Sequence, residues 1–304
     1  MAETPLRVRI KRVRRRWLFV GLRTVLRAGG IDGARALGRW LGGWRYRLLR
    51  GARRRLQADI GAALGRTADD PAVAALLREA YRVNDAAVLE IMSVFDRRLA
   101  DTAIAARCEI DGGEQLRAAM ADGRGAILLA AHMGNAALLA LKLAADGWPV
   151  SVVYREARMM SAGFFQDGLE RYGIQGILAN AGLMAYGQML KALKGGRIVF
   201  MMLDQGVKKA EDGSMQRFLG KTVPMPAGPA QLARAARAPL LPVATVASEP
   251  RWHFVIGPAV PLGHGPLEAD VARLVAITER QVLDHPELWS WHQRRWRRYP
   301  RSAA

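Results

Sequence analysis

Residues 126–135 read AILLAAHMGN, and residues 198–206 read IVFMMLDQG. Each stretch is an unbroken apolar run that stops at a polar side chain and a glycine. Runs of four to eight apolar residues without polar alternation mark strands buried on both faces, the kind found in parallel sheets covered by helices. Working outward, similar short runs recur at 150–154 (VSVVY), 174–178 (IQGIL), 240–247 (LLPVATVA) and 252–256 (WHFVI). Between them, helical patterns lie near 113–122, 135–146, 161–172, 182–194, 226–237 and 266–284, after a longer helical stretch at 69–95. Strands alternating with helices predict a single α/β domain with a mixed, largely parallel sheet flanked by helices.

In such sheets, functional side chains gather where strands end and helices begin. His132 follows the first run, and Asp204-Gln205 follow the second. If the two strands are parallel neighbours, the imidazole and the carboxylate open onto one edge of the sheet. A neutral imidazole there can take a proton from a hydroxyl, and the first-turn N–H groups of the helix beginning near Gly134-Asn135 can stabilise a developing oxyanion. That is equipment for acyl transfer. A histidine at a strand end is also an ordinary structural residue, and both readings stand at this point.

The chain has 304 residues, 51% of them hydrophobic, enough for a sizeable core. Cys108 is the single cysteine, which excludes an intrachain disulfide and any Cys-x-x-Cys metal site; its surroundings read as inert. The formal charge of +19 is unevenly placed. Residues 1–55 carry 17 Lys and Arg against Glu3 and Asp32, and residues 289–304 carry five Arg and no acid. The body, 56–288, has 24 basic and 25 acidic residues. A neutral body with basic ends is unlike a uniformly basic nucleic-acid binder, and no nucleic-acid partner is expected.

Residues 7–16 (RVRIKRVRRR) lead into Trp17-Leu18-Phe19-Val20, and Gly29-Gly30 break the pattern before a second mixture of Trp, Leu and Arg at 33–50. On a helix, Arg16, Arg23 and Arg27 share a stripe away from Trp17, Val20 and Leu26. Neither stretch has the roughly 18–20 uninterrupted apolar residues a spanning helix needs, and Arg23 spoils a signal-peptide core. The composition points to amphipathic helices lying on an anionic membrane surface. The expected division is a membrane-association segment at 1–55 and an α/β domain at 56–304.

With strand before and helix after, AHMGN resembles the first block of the lysophospholipid acyltransferase superfamily, and specifically of the lipid A biosynthesis (lauroyl/myristoyl) acyltransferases, usually His-x-Gly-Asn-Trp-Glu. Further blocks follow in order. Tyr154-Arg155 resembles the second, and Arg171-Tyr172-Gly173 its downstream Arg and Gly; Lys191–Gly196 with Asp204-Gln205 resembles the third. Phe218-Leu219-Gly220 with Pro226–Ala230, and His285-Pro286-Glu287 with WHQRRWRRYP at 291–300, resemble the closing blocks. The resemblance covers most of residues 45–300.

It implies an O-acyltransferase on the cytoplasmic face of a bacterial inner membrane, using no metal or other cofactor. His132 would deprotonate a hydroxyl of a glycolipid or phospholipid acceptor, which attacks a thioester of acyl carrier protein or coenzyme A. Gly134, Asn135, Arg155, Arg171 and Gln205 would bind substrate, Arg155 as a phosphate clamp, with Asn135 also the N-cap of its helix. The sequence departs from the pattern where it matters: Ala136 and Ala137 stand where the family has Trp and an acid. The chain is then an inactivated variant, an enzyme in which Asp204 orients His132 instead, or a silent lipid-binding scaffold. His253, His264, His285 and His292 read as structural, and Met159-Met160 as core or groove filling.

Overall fold

The computed structural model describes residues 6–156, 162–205, 207 and 213–292, with side chains from Val20 onward. Helices α1 (Leu6–Leu48), α2 (Arg50–Ala63), α3 (Pro71–Asp96) and α4 (Asp101–Ala105) precede strand β1 (Cys108–Asp111). The alternating body follows: α5 (Gly113–Met120), β2 (Ala126–Ala130), α6 (Ala136–Ala145), β3 (Val150–Tyr154), α7 (Phe164–Glu170), β4 (Gln175–Leu178), α8 (Leu183–Lys194) and β5 (Ile198–Met202). A hairpin, β6 (Ser214–Phe218) and β7 (Lys221–Met225), leads to α9 (Gly228–Ala236), β8 (Leu240–Ala247), β9 (Trp252–Ile256) and α10 (Leu267–Asp284).

Seven strands form one sheet in the order β1-β9-β8-β2-β5-β3-β4. Only β8 and β9 pair antiparallel; every other neighbouring pair is parallel. The fold is therefore α/β with a mixed, mostly parallel sheet flanked by helices. All five residues of β2 are buried, as a central strand covered on both faces requires. β2 and β5 are in register from Ala126 opposite Ile198 to Ala130 opposite Met202, so the residues that follow both strands emerge at one edge.

Three strands lie outside the runs read from sequence. β1 is a four-residue edge strand with a mixed burial pattern, too short and too polar to stand out. β6 and β7 form a separate two-stranded sheet, and β7 contains Pro224, which argues against a strand when met in sequence. Leu219 and Gly220, at φ 49° and 74°, make the two-residue turn between them.

The N-terminal expectation needs correction in one respect. The break expected at Gly29-Gly30 is there: α1 is two helical stretches joined at Gly30, whose φ 63°, ψ −165° is not helical, and the second runs to Leu48, so the correction concerns what the arginines meet. Of the arginine stripe expected to meet an anionic membrane surface, Arg23 and Arg27 instead meet the protein, where both guanidiniums pair with Asp96 at the end of α3. Arg35–Glu90, Arg39–Glu79 and Arg45–Asp85 continue the ion pairs along the same two helices. Gly38 and Gly42 let the helices come this close: a Cβ at Gly38 would collide with the backbone of Asp85-Ala86, and one at Gly42 with that of Tyr81-Arg82. Arg16 and Trp17 lie outside the described side chains. No described helix is long and apolar enough to cross a membrane.

Candidate active site

The turn from His132 to Asn135 leaves the centre of the sheet, and hydrogen bonds hold it along its length. The backbone N–H of His132 donates to Asp204 Oδ2 at 3.0 Å, and its carbonyl accepts from Ser290 N at 3.0 Å. The Met133 carbonyl accepts from Thr245 Oγ1 at 3.0 Å, and Gly134 N donates to the Leu288 carbonyl at 2.9 Å. Backbone bonds to three separate segments leave the turn little freedom. Gly134 has φ 53°, and a Cβ there would strike the Trp252 ring, so the position needs glycine on both counts. Asn135 is the N-cap of α6, its Oδ1 accepting from Leu138 N at 3.2 Å, as the sequence suggested.

The imidazole of His132 is 28% exposed and its carboxylate neighbour is fully enclosed. Nδ1 lies 2.7 Å from Asp204 Oδ1, and Trp289 Nε1 donates to Asp204 Oδ2 at 2.7 Å. Burial alone would raise the Asp204 carboxyl, but the imidazole and the donors from His132 and Trp289 outweigh it and hold the group below its ordinary range. A charged carboxylate accepts from Nδ1–H, and in the neutral ring this leaves the Nε2 lone pair for proton transfer. Gln205 Nε2 stands 2.6 Å from that nitrogen.

A second buried carboxylate supports the other end of the turn. Glu90 of α3 accepts from Asn135 Nδ2 at 2.9 Å and from Trp252 Nε1 at 2.7 Å, with Arg35 Nη1 3.2 Å from its other oxygen. Burial pushes its carboxyl up against the lowering effect of Asn135, Arg35 and Trp252. Behind it, Asp32, Arg35, Glu90, Arg107 and Glu249 line a polar cavity of about 370 Å3 that His132 does not reach.

The structure thus joins His132, Gly134, Asn135, Asp204 and Gln205. Arg155 is exposed immediately after β3, at the same edge of the sheet. Arg171 is elsewhere: it follows α7 and precedes β4, which puts it at the opposite edge, where its guanidinium donates to the Phe95 carbonyl. Ala137 is the second residue of α6, half-buried and packed against the core. Met159-Met160 and the arginines at 294, 295, 297 and 298 lie outside the described residues.

Sequence reading missed Glu90, Trp252 and Trp289, which touch the turn or its carboxylate from distant positions in the chain; no spacing rule could have linked them. Cys108 is buried, with a thiol pushed up to about 11, first of all by burial, which suits an inert residue. Among the described residues, Glu109, Asp111 and His253 form one group of potential metal ligands at the sheet's outer edge, where Nε2 of His253 is 2.8 Å from Asp111 and Glu109 pairs with Arg251.

A family model described as bacterial lipid A biosynthesis acyltransferase matches residues 2–298. Phosphatidylinositol mannoside acyltransferases of two Mycobacterium tuberculosis strains, CDC 1551 / Oshkosh and H37Rv, are each 28% identical to this chain over 189 residues. That region is 62% of this chain and 59% of each relative, so the match spans about three fifths of the relatives' length.

Proposed function

The chain belongs to the bacterial lipid A biosynthesis acyltransferase family, and from that premise we propose that it is an active O-acyltransferase with His132 as general base and Asp204 as the carboxylate that orients it. The observation that carries this reading is the 2.7 Å contact between His132 Nδ1 and a buried, ionised Asp204. A carboxylate on Nδ1 fixes the tautomer and stabilises the imidazolium formed during the reaction, which is the service a family acid at position 137 would otherwise perform. Because Asp204 performs it, Ala137 is not a lesion, and the reading of a silent lipid-binding scaffold is the less favoured one.

In the proposed reaction, Nε2 takes the proton of an acceptor hydroxyl as its oxygen attacks the thioester carbonyl. The first-turn N–H groups of α6 lie at the positive end of the helix beside the developing oxyanion. Collapse breaks the C–S bond, and the departing thiolate receives the proton from the imidazolium. Arg155 binds the phosphate of the acceptor headgroup or of the donor's phosphopantetheine. The donor is a thioester of acyl carrier protein or coenzyme A, and the acceptor a hydroxyl of a glycolipid or phospholipid.

Residues 1–55 are the membrane-association segment of this reading, and 56–304 the acyltransferase domain. Since Arg23 and Arg27 are engaged with Asp96, the lipid-facing part falls later along α1. Trp40, Trp44, Leu48 and Leu49 are exposed there, among exposed Arg47, Arg50, Arg54 and Arg55. Aromatic and aliphatic groups beside arginines suit the interface of an anionic leaflet, here the cytoplasmic face of the inner membrane.

The test is transfer of labelled acyl chains from acyl carrier protein and coenzyme A thioesters into a bacterial lipid extract, by the chain and by His132→Ala, with flotation on anionic vesicles as a control. Transfer by the chain, lost in His132→Ala without loss of flotation, is the expected result. Equal transfer by both would remove His132 from the chemistry, and none by either, with flotation intact, would favour the scaffold.

A further inference from the structure

The proton-accepting nitrogen of His132 is already occupied. In the neutral ring that a general base requires, Nδ1 carries the proton because it faces the carboxylate of Asp204, so Nε2 presents its lone pair, and the group 2.6 Å away is the amide nitrogen of Gln205. An amide nitrogen has protons to give and no lone pair to offer, so Gln205 donates and Nε2 accepts. The geometry follows from the chain itself. Gln205 is the residue after Asp204, so one turn at the end of β5 brings a partner to each ring nitrogen, the carboxylate to one and the amide to the other.

We propose that Gln205 is a catalytic residue that caps Nε2 in the lipid-free enzyme and yields that nitrogen to the acceptor hydroxyl, so that the base cannot activate water before the acceptor is in place. The inference rests on the acyltransferase reading above and deepens it.

The chemistry gives the cap a purpose. A thioester held beside a partly exposed imidazole is open to attack by water as well as by a lipid hydroxyl. In both reactions a proton passes to Nε2, a C–O bond forms, the C–S bond breaks and the thiolate leaves with the proton. The nucleophile alone decides whether the product is an acylated lipid or a free fatty acid. With the amide in place, any nucleophile must first displace it from Nε2. A lipid hydroxyl carried on a bound headgroup meets this cost with its other contacts, whereas a single water has no other contact to offset it. One hydrogen bond of this kind corresponds to about a tenfold bias between the two outcomes.

Three full-length proteins test this: the chain itself, Gln205→Ala and Gln205→Glu, with His132→Ala as the baseline. Free fatty acid released from labelled acyl carrier protein thioester is measured beside transfer into lipid extract, and the 15N resonance of His132 Nε2 is recorded without any substrate. Gln205→Ala is expected to lower the ratio of transfer to hydrolysis about tenfold and to move the Nε2 resonance. Gln205→Glu replaces the donor by an acceptor, which retains a proton on Nε2, so both reactions should fall toward the His132→Ala baseline.

An unchanged ratio in Gln205→Ala overturns the proposal even if transfer itself is robust. If no protein transfers acyl groups, the acyltransferase reading fails separately, and the resonance still decides the cap. A shift on Gln205→Ala upholds it, and an unmoved signal removes it.

Discussion

The two ends of the 132–135 turn are held in parallel ways and with opposite electrostatic results. At the His132 end, Asp204 accepts an indole N–H from Trp289; at the Asn135 end, Glu90 accepts one from Trp252, each at 2.7 Å. Both carboxylates are buried, yet Asp204 is held below its ordinary range and Glu90 is pushed above it. The difference is in the company each keeps. Asp204 faces an imidazole and two further N–H donors, whereas Glu90 has its one cation, Arg35, at 3.2 Å and is opposed by the charge of Glu249. Burial alone does not make a carboxylate part of the chemistry; the proton-carrying partner beside it does. In the proposed reaction the Asp204 end is the working end, and the Glu90 end is the bracket.

Four measurements would break or sharpen that contrast. The largest effect belongs to the working end: Asp204→Asn should reduce single-turnover transfer by about 10^3 to 10^4-fold, with the circular dichroism spectrum of the folded chain retained. At the bracket, Glu90→Ala should cost about 3–5 kcal/mol of folding stability in a urea titration, because it leaves the buried N–H groups of Asn135 and Trp252 without an acceptor and takes one of its partners from Arg35, which keeps Ser248 and Glu249. Its rate per folded molecule should fall much less than that of Asp204→Asn; a comparable fall would place Glu90 in the chemistry and erase the contrast.

The two tryptophans come next. Trp289→Phe and Trp252→Phe each remove one N–H while keeping a ring, a change worth about 1.5–3 kcal/mol for a bond to a charged group. The loss at Trp289 should appear mainly in kcat with KM little changed, and the loss at Trp252 mainly in stability. Equal effects of both on kcat would contradict the division of labour.

The smallest effect is in pH. A depressed carboxyl contributes stability that is present above the ordinary carboxylate range and lost as pH falls through its folded value, so Asp204→Asn should flatten the loss of stability in acid. A raised carboxyl works the other way: what Glu90 contributes below its ordinary range is lost as pH rises through its raised value. The stability of the chain relative to Glu90→Gln should therefore decline as pH rises above the ordinary carboxylate range toward the raised value, read as urea midpoints at each pH. A rising difference would reverse the assignment at Glu90.

Much of this molecule is legible in its sequence, for physical reasons that particular residues make plain. The central strands are buried on both faces and carry no polar alternation, so AILLAA and IVFMML stand out, and the turn after each falls at a strand end by geometry. His132, Asp204 and Gln205 could be named because a parallel sheet brings strand ends to one edge. Their partners could not. Glu90 lies on α3, Trp252 on β9 and Trp289 beyond α10, and only the fold brings them beneath the turn. The N-terminal segment misled in a different way. Arg23 and Arg27 read as the polar stripe of a helix lying on an anionic membrane surface, because helical spacing defines a face without saying what it meets, and the buried Asp96 that receives both is 69 or more residues away. Gly38 and Gly42, which carry no signal of their own in the sequence, are where α1 comes close enough to α3 for those pairs to form.

The central claim is that Asp204, and not position 137, supplies the carboxylate behind the base. The measurement that tests it most directly is single-turnover acyl transfer by four proteins: the chain, Asp204→Asn, Ala137→Glu and the double variant. The expected result is that the chain transfers as it stands, that Asp204→Asn all but abolishes transfer, and that a glutamate at 137 neither improves the first nor rescues the second. If transfer appears only when 137 is glutamate, or if Asp204→Asn stays within a few-fold of the chain, the account is contradicted.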